Sequence, residues 1–449
     1  MSTTKLIISD LHLADGHPVL DGFGDYQQST LEGLLNAASP NGPLGHAQDV
    51  ELIINGDCFD FLVTPPHDTG GTMNASLALE KLNSIIAAHH AFFEALRIFI
   101  KLPGRHITFL TGNHDLELCF AQVRARIYEA IGVEKGPQAL YFCPTRFYRP
   151  LPDVYIEHGN HYDFWNRCTN GLWDTQGQPL TLDPVTITLP AGSHYVQHAA
   201  LPISIQYPYF DHFEPSMNIT RQMALLCLFN SAMVMQTVQH TMELLYQPRK
   251  GLSHLAPGEE YMPARLFEQV MFDLAEFKQD MLIRNPGWAE PSDAKDNQVQ
   301  TNAIMEFVAL RETLALPLME AIATICMPTT YQMGESVAAG MHKVLRNDPT
   351  LRYCIAGHTH MTRIDPINNG AQTYLNTASW TTRVALPVPD EITTELVAWL
   401  RQPDWQHIAL RDVTRLVFAL VNATTNEPSS ASLYVWEGGI NRNYRKIEV

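Results

Sequence analysis

Short apolar runs alternate along the first third of the chain with longer stretches whose apolar positions recur every three or four residues. Lys5 to Ser9, Glu51 to Asn55 and His106 to Leu110 read as buried strands. Between them, Tyr26 to Ala38 carries Leu31, Leu34 and Leu35 at helical spacing, and Ala75 to Lys101 puts Leu82, Ile85, Ile86, Phe93 and Leu96 on one face. Pro103-Gly104 ends the second of these helices. The succession βαβαβ predicts parallel strands joined by crossover helices, an α/β core. A further helix is expected over Leu116 to Ile131, then β-like stretches at Tyr141 to Tyr148 and Val154 to Glu157.

From about Trp165 to Asp348 the pattern changes. A Pro- and aromatic-rich stretch, including Tyr207-Pro208-Tyr209-Phe210, precedes expected helices over Asn218 to Tyr246, Ala264 to Ile283, Val299 to Cys326 and Gly334 to Arg346. Met223, Leu225, Leu226, Met233 and Met235 in the first of these fit faces packed on one another, or an apolar lid for a greasy substrate. Strands return at Arg352 to Ala356, Gln372 to Asn376, Arg415 to Val421 and Ser432 to Trp436, with Asn422 to Ser430 as a hairpin-like link. The expected organisation is a core of residues 1–164 and 349–449 interrupted by a mainly helical insertion, 165–348.

Composition narrows the class. The 449 residues are 45% apolar and 17% charged, which excludes a disordered or collagen-like chain. The formal net charge of −17 gives no global reason to seek nucleic acid or an anionic membrane. No apolar run reaches the roughly 20 residues that span a bilayer. No signal-peptide pattern opens the sequence, and the seven scattered cysteines form no CxxC pair. A cytoplasmic protein with reduced thiols is the expectation.

The chemistry sits where strands end. The first runs into Asp10-Leu11-His12, the second into Gly56-Asp57-Cys58-Phe59-Asp60 and the third into Gly112-Asn113-His114-Asp115. A later strand ends in His158-Gly159-Asn160-His161, and the one after the insertion in Gly357-His358-Thr359-His360. Carboxyl ends of parallel strands converge on one edge, so these motifs are expected in one place. Asp10/His12 and His358/His360 share the i, i+2 spacing that points both side chains the same way from extended backbone. Imidazoles and carboxylates without a thiolate suit divalent Mn, Fe, Zn or Co. Seven ligands exceed one tetrahedral ion and suit two ions, about 3.5–4 Å apart, that share a carboxylate and clamp a phosphoryl group.

This set resembles the calcineurin-like metallophosphoesterase family. The resemblance covers the motifs within residues 5–160 and 352–380, including Tyr374-Leu375-Asn376-Thr377-Ala378-Ser379-Trp380. It implies a β-sandwich flanked by helices, here with a large helical insertion. It also implies one metal held by Asp10, His12 and His360 and another by Asn113, His158 and His358, with Asp57 bridging. Manganese is expected first, with iron, zinc or cobalt as alternatives. His114 would stabilise the transition state or protonate the leaving oxygen, and Asp115 or Asp60 would orient it, turn capping being the other role for each carboxylate. The fourth motif departs from the family's common His-Gly-His, so His158 is taken as the ligand. His161 is then left to a substrate-facing or a structural role. Arg167, after Trp165, fits a phosphate grip or a solvated surface cation.

Branches of the family differ at these motifs. Ser/Thr protein phosphatases place Arg-Gly after the second motif and Glu after Asn-His, where this chain has Phe61-Leu62 and Asp115. Purple acid phosphatases supply a Tyr ligand, whereas Asp60 closes the second motif here. UDP-diacylglucosamine pyrophosphohydrolases look closest in core layout, with Gly-Asp-x-x-Asp and a helical lid, but carry Arg where His114 stands. The implied activity is hydrolysis of a phosphodiester, phosphomonoester or pyrophosphate bond in a phosphorylated, lipid-like small molecule. A non-catalytic scaffold of the same fold and a nuclease-type member are the alternatives. The long apolar helices also fit self-association into a homo-oligomer.

Overall fold

The computed structural model describes residues 2–67, 72–133, 139–163, 165–168, 172–215, 219–246, 317–326, 334–425, 427–437 and 443–448. The chain divides into two compact units, one of residues 1–197, 333–383 and 414–449, the other of residues 198–332 and 384–413.

Besides a two-stranded ribbon of Thr72–Asn74 and Thr186–Thr188, the first unit holds two larger sheets. In chain order their strands are β1 (Ser2–Ile8), β2 (Asp49–Asn55), β3 (Arg105–Leu110), β4 (Leu140–Phe142), β5 (Phe147–Leu151) and β6 (Val154–Glu157). After these come β7 (Tyr353–Ala356), β8 (Thr362–Ile367), β9 (Gln372–Thr377), β10 (Leu416–Thr424), β11 (Glu427–Trp436) and β12 (Tyr444–Lys446). The seven-stranded sheet has the order β12-β11-β10-β1-β2-β3-β4. Its β1 to β4 run parallel, while β10 joins β1 antiparallel and carries β11 and β12 as an antiparallel extension. The five-stranded sheet has the order β8-β9-β7-β6-β5, with β7 parallel to both β6 and β9 and the edges antiparallel.

Strand alternation sorts the core. Leu6, Ile8, Leu52 and Ile54 point to one face of the large sheet, into a buried cluster with Leu31, Leu34, Leu82, Ile85, Phe92 and Leu96. Those partners come from helices α1 (Asp25–Ala37), α2 (Ala75–Ala88) and α3 (His90–Ile100). Ile7 and Ile53 point the other way. They share a second buried cluster with Ile156, Ile355 and Leu375 of the small sheet. Sequential strands buried on both faces explain the continuous apolar runs.

Several elements differ from the sequence pattern. The helix expected over Ala75 to Lys101 breaks at His89, whose backbone turns to φ −116°, ψ 42°. Its Nε2 lies 2.7 Å from Asp21 Oδ2, so a tertiary contact interrupts a run that periodicity reads as continuous. Leu116 to Ile131 is a 3₁₀ turn over Leu116–Cys119 and then helix α4 (Ala121–Ile131), separated by extended Phe120. The stretch Tyr141 to Tyr148 is interrupted between β4 and β5.

In the second unit the helix Ile219–Tyr246 is broken at Asn230. It packs with Leu318–Cys326 and Thr394–Arg401 around Tyr209, Phe213, Leu225, Ile322 and Leu400. Met223, Leu225 and Leu226 are buried in that cluster and Met233 packs against it. The expected helix Ala264 to Ile283, most of Val299 to Cys326 and the side chain of Met235 lie outside the described residues.

Candidate metal centre

Each motif follows the carboxyl end of its strand: Asp10 and His12 after β1, Asp57 after β2, Asn113 after β3, His158 after β6 and His358 with His360 after β7. The two sheets are tied there, since Asn55 Nδ2 donates to the Glu157 carbonyl at 3.1 Å and His158 Nδ1 lies 2.8 Å from the Asn55 carbonyl. Asp10 reaches across as well. Its two carboxylate oxygens both lie 3.0 Å from the His358 backbone N–H.

The backbone at these positions is unusual. Asp10, His12, Asp57, His358 and His360 have φ of 55°, 53°, 51°, 68° and 56°, the left-handed region that non-glycine residues rarely occupy. Five such residues in one cluster mark a site where local geometry is held against its preference. The neighbouring glycines supply room. A Cβ at Gly112 would stand 2.1 Å from Asp57 Oδ1, and one at Gly357 would stand 2.4 Å from Asp10 Oδ2.

The side chains form three groups whose donor atoms lie within 4.8 Å of one another: Asp10 with His12 and His360, Asp57 with His158 and His358, and His12 with Asp60 and His114. The first joins the three residues expected around one ion, and the second joins His158 and His358 of the other expected set to Asp57, without Asn113. His12 Nε2 and His360 Nε2 are 3.2 Å apart, and His360 Nε2 is 3.3 Å from Asp10 Oδ1. His158 Nε2 is 3.1 Å from Asp57 Oδ2 and 3.9 Å from Asp10 Oδ1, which brings the two groups together. Asn113 Oδ1 is buried with no hydrogen-bond partner. A buried acceptor without a donor is costly unless something electropositive meets it. That orphan oxygen and the converging imidazole nitrogens fit divalent cations.

Of the two carboxylates expected to orient His114, Asp60 is in reach. Asp60 Oδ2 stands 3.0 Å from His114 Nδ1 and 2.9 Å from His12 Nδ1, while Oδ1 accepts the Leu62 and Val63 N–H groups. Asp115 does not orient His114. It accepts the Gly112 N–H at 2.6 Å and the Cys58 N–H at 2.9 Å, so it clamps two motif loops together. Asp57 fixes the backbone beside it by accepting the His114 N–H at 2.8 Å.

Charge follows this geometry. Burial disfavours the His158 imidazolium, but the Asp57 and Asp10 carboxylates outweigh it and raise its pKa to about 10. Burial also opposes the His114 imidazolium, and Asp60 and Asp57 carry its pKa up to about 9. For His360 burial wins, and its pKa falls to about 4. Burial raises Asp115 to about 7, with the neighbouring Asp57 charge adding to the effect. Asp60 is held far below the ordinary carboxylate range, its desolvation overcome by His114 and His12.

His161 and Arg167 lie outside the donor groups. His161 sits in the turn Asn160–Tyr162 with its ring edge-on to Tyr162, and burial with the Arg146 and Arg167 cations lowers its pKa to about 4. The Arg167 N–H closes on the Asp163 carbonyl at 2.9 Å. One residue at the site went unread in the sequence. Asp163 Oδ2 stands 3.0 Å from His358 Nε2, and a lone aspartate in an aromatic stretch carries no spacing signal.

No protein-family model matches the chain, and no curated protein matches it. Among solved structures, a dimetal phosphatase from Danio rerio aligns over 96% of this chain and 94% of its own, at 8% identity and a TM-score of 0.30. The phosphopantetheinyl hydrolase from Mycobacterium tuberculosis aligns over 92% and 96%, at 12% identity and a TM-score of 0.23. Among the described residues, no helix is long and apolar enough to cross a membrane.

Proposed function

We propose that the chain is a dinuclear-metal-dependent phosphoric ester hydrolase of the calcineurin-like metallophosphoesterase type, its two sheets forming the family's sandwich. The observation that carries this reading is the meeting of the Asp10/His12/His360 and Asp57/His158/His358 donor groups, with the orphan Asn113 Oδ1. Two divalent ions held there, manganese first, would offset the negative charge of a phosphoryl group and supply an acidified water. Asp57 would serve both ions, and the extra proton on His158 would have to leave as the site is loaded.

The protein's own contribution follows from His114. Its Nδ1 is anchored on Asp60, which leaves Nε2 for the substrate. The Asp60 carboxylate behind the ring favours its charged form. So held, the ring would balance charge on a transferring phosphoryl group or give a proton to the leaving oxygen. His161 and Arg167 are assigned to the substrate side. The substrate is read as a phosphorylated small molecule, lipid-like in the manner of the UDP-diacylglucosamine pyrophosphohydrolases, in the cytoplasm. The helical insertion is read as a lid or a self-association surface.

Metal-stripped protein given back Mn, Zn, Fe, Co or Mg should hydrolyse bis-p-nitrophenyl phosphate or p-nitrophenyl phosphate. Asp57→Ala should abolish turnover, and His114→Ala should lower kcat by roughly 10²–10⁴-fold, the usual scale of general acid–base assistance. Absence of turnover with every metal, despite two ions bound per chain, would discard the catalytic reading in favour of a metal-bearing scaffold.

A further inference from the structure

We propose that Asp163 is a positioning residue for His358: its carboxylate receives the Nε2–H of that imidazole and so presents the other ring nitrogen, Nδ1, to the Asp57–His158 group. The inference deepens the two-metal reading above, since it takes His358 as a ligand, but the contact itself stands on geometry.

A neutral imidazole carries one N–H and one lone pair, and the acceptor it meets decides which nitrogen keeps the proton. The candidate ligand histidines are treated individually. His12 gives Nδ1 to Asp60 and His158 gives Nδ1 to the Asn55 carbonyl, so both turn Nε2 inward. His358 is reversed, with Nε2 on Asp163 Oδ2 at 3.0 Å. That leaves Nδ1 as the nitrogen with the free lone pair on a histidine that is grouped with Asp57 and His158. Asp163 belongs to none of the donor groups, which separates it from the ligands themselves.

The carboxylate is held from its own side by a built turn. Oδ1 accepts the Trp165 N–H at 3.0 Å and Oδ2 accepts Asn166 Nδ2 at 2.6 Å. Asn160 Nδ2 donates to the Asn166 carbonyl at 3.0 Å, and the Gly192 N–H donates to the Trp165 carbonyl at 2.8 Å. The His358 backbone is equally fixed, with φ of 68° and its N–H on the Asp10 carboxylate. Neither partner has to move to make the contact. Acceptors behind ligand histidines set ring orientation and ligand basicity, and losing one costs roughly 10–100-fold in metal affinity.

The test compares wild type with Asp163→Ala and with the near-isosteric Asp163→Asn, which guards against misfolding of the alanine variant. Long-range ¹H–¹⁵N NMR of metal-free protein reads the imidazole tautomers, with the His358 signals identified by their loss in His358→Gln. The expected result is an Nε2–H tautomer in wild type and a mixture in Asp163→Ala. Titration of stripped protein with Mn or Zn should then show one of two binding events weakened about 10–100-fold in Asp163→Ala and the other unchanged. A wild-type His358 protonated at Nδ1, or a tautomer that ignores both substitutions, overturns the proposal. If wild type takes up no metal while the tautomer responds as expected, the two-metal reading falls and the positioning contact stands.

Discussion

At the scale of single residues, the metal-free site is a set of opposed charges that imidazolium protons keep in balance. His114 and His158 have pKa values of about 9 and about 10 because nearby carboxylates outweigh the cost of burying their charge. A histidine raised on folding contributes its full stability below the unfolded value, about 6.5, and loses it as pH climbs through the folded value. Stability of the chelator-treated protein should therefore decline from about pH 6.5 through the two folded values, about 9 and about 10. Asp60→Asn removes the anion against His114 Nδ1, so the His114 titration should move down and the part of the decline near pH 9 should shrink. Denaturant midpoints across that range, with NMR titration of the His114 ring, measure both effects. A wild-type profile flat from pH 6.5 to 10 would contradict the charge assignment.

At the scale of elements, the strands were legible because burial on both faces writes itself as short unbroken apolar runs, and the motifs were legible because each follows one. Leu6-Ile7-Ile8 and Leu52-Ile53-Ile54 show the logic, sending alternate side chains into two different clusters. The break at His89 was not legible. No Gly or Pro marks it, and the contact with Asp21 that accompanies it spans 68 positions of sequence. Asp163 was hidden for the same reason, since its partner His358 is 195 positions away. The left-handed φ of Asp10, His12, Asp57, His358 and His360 was equally out of sight, because Asp and His enter that region more readily than most residues yet are usually found outside it. Where two sheets share a cluster, strand packing also aims the ligands. Ile355 is fully buried in that cluster, three residues before His358. Ile355→Ala should cost about 2–5 kcal/mol in chemical unfolding, the range for emptying a buried isoleucine site, and should weaken metal binding through displacement of the β7 end. Unchanged unfolding midpoint and metal affinity would mean that this cluster does not support the site.

At the scale of the whole molecule, the candidate ligands are confined to one unit. Asp10, His12, Asp57, Asn113, His158, His358 and His360 fall within residues 1–197 and 333–383, and the second unit is built around its own buried cluster. A ligand that binds the folded form alone stabilises it by mass action, about 2.7 kcal/mol at a hundredfold excess over Kd. That stabilisation belongs to the cooperative unit that makes the site, because opening elsewhere leaves the ion bound. Hydrogen exchange followed by mass spectrometry on chelated and metal-loaded protein should therefore show slower exchange in peptides from residues 1–197, 333–383 and 414–449. Peptides from 198–332 and 384–413 should exchange at the same rate in both states. Slowing confined to the second unit would place the ions away from the Asp and His motifs. Equal slowing in both would mean that the two units open together, and the metal's effect would then have to be read as a property of the whole chain.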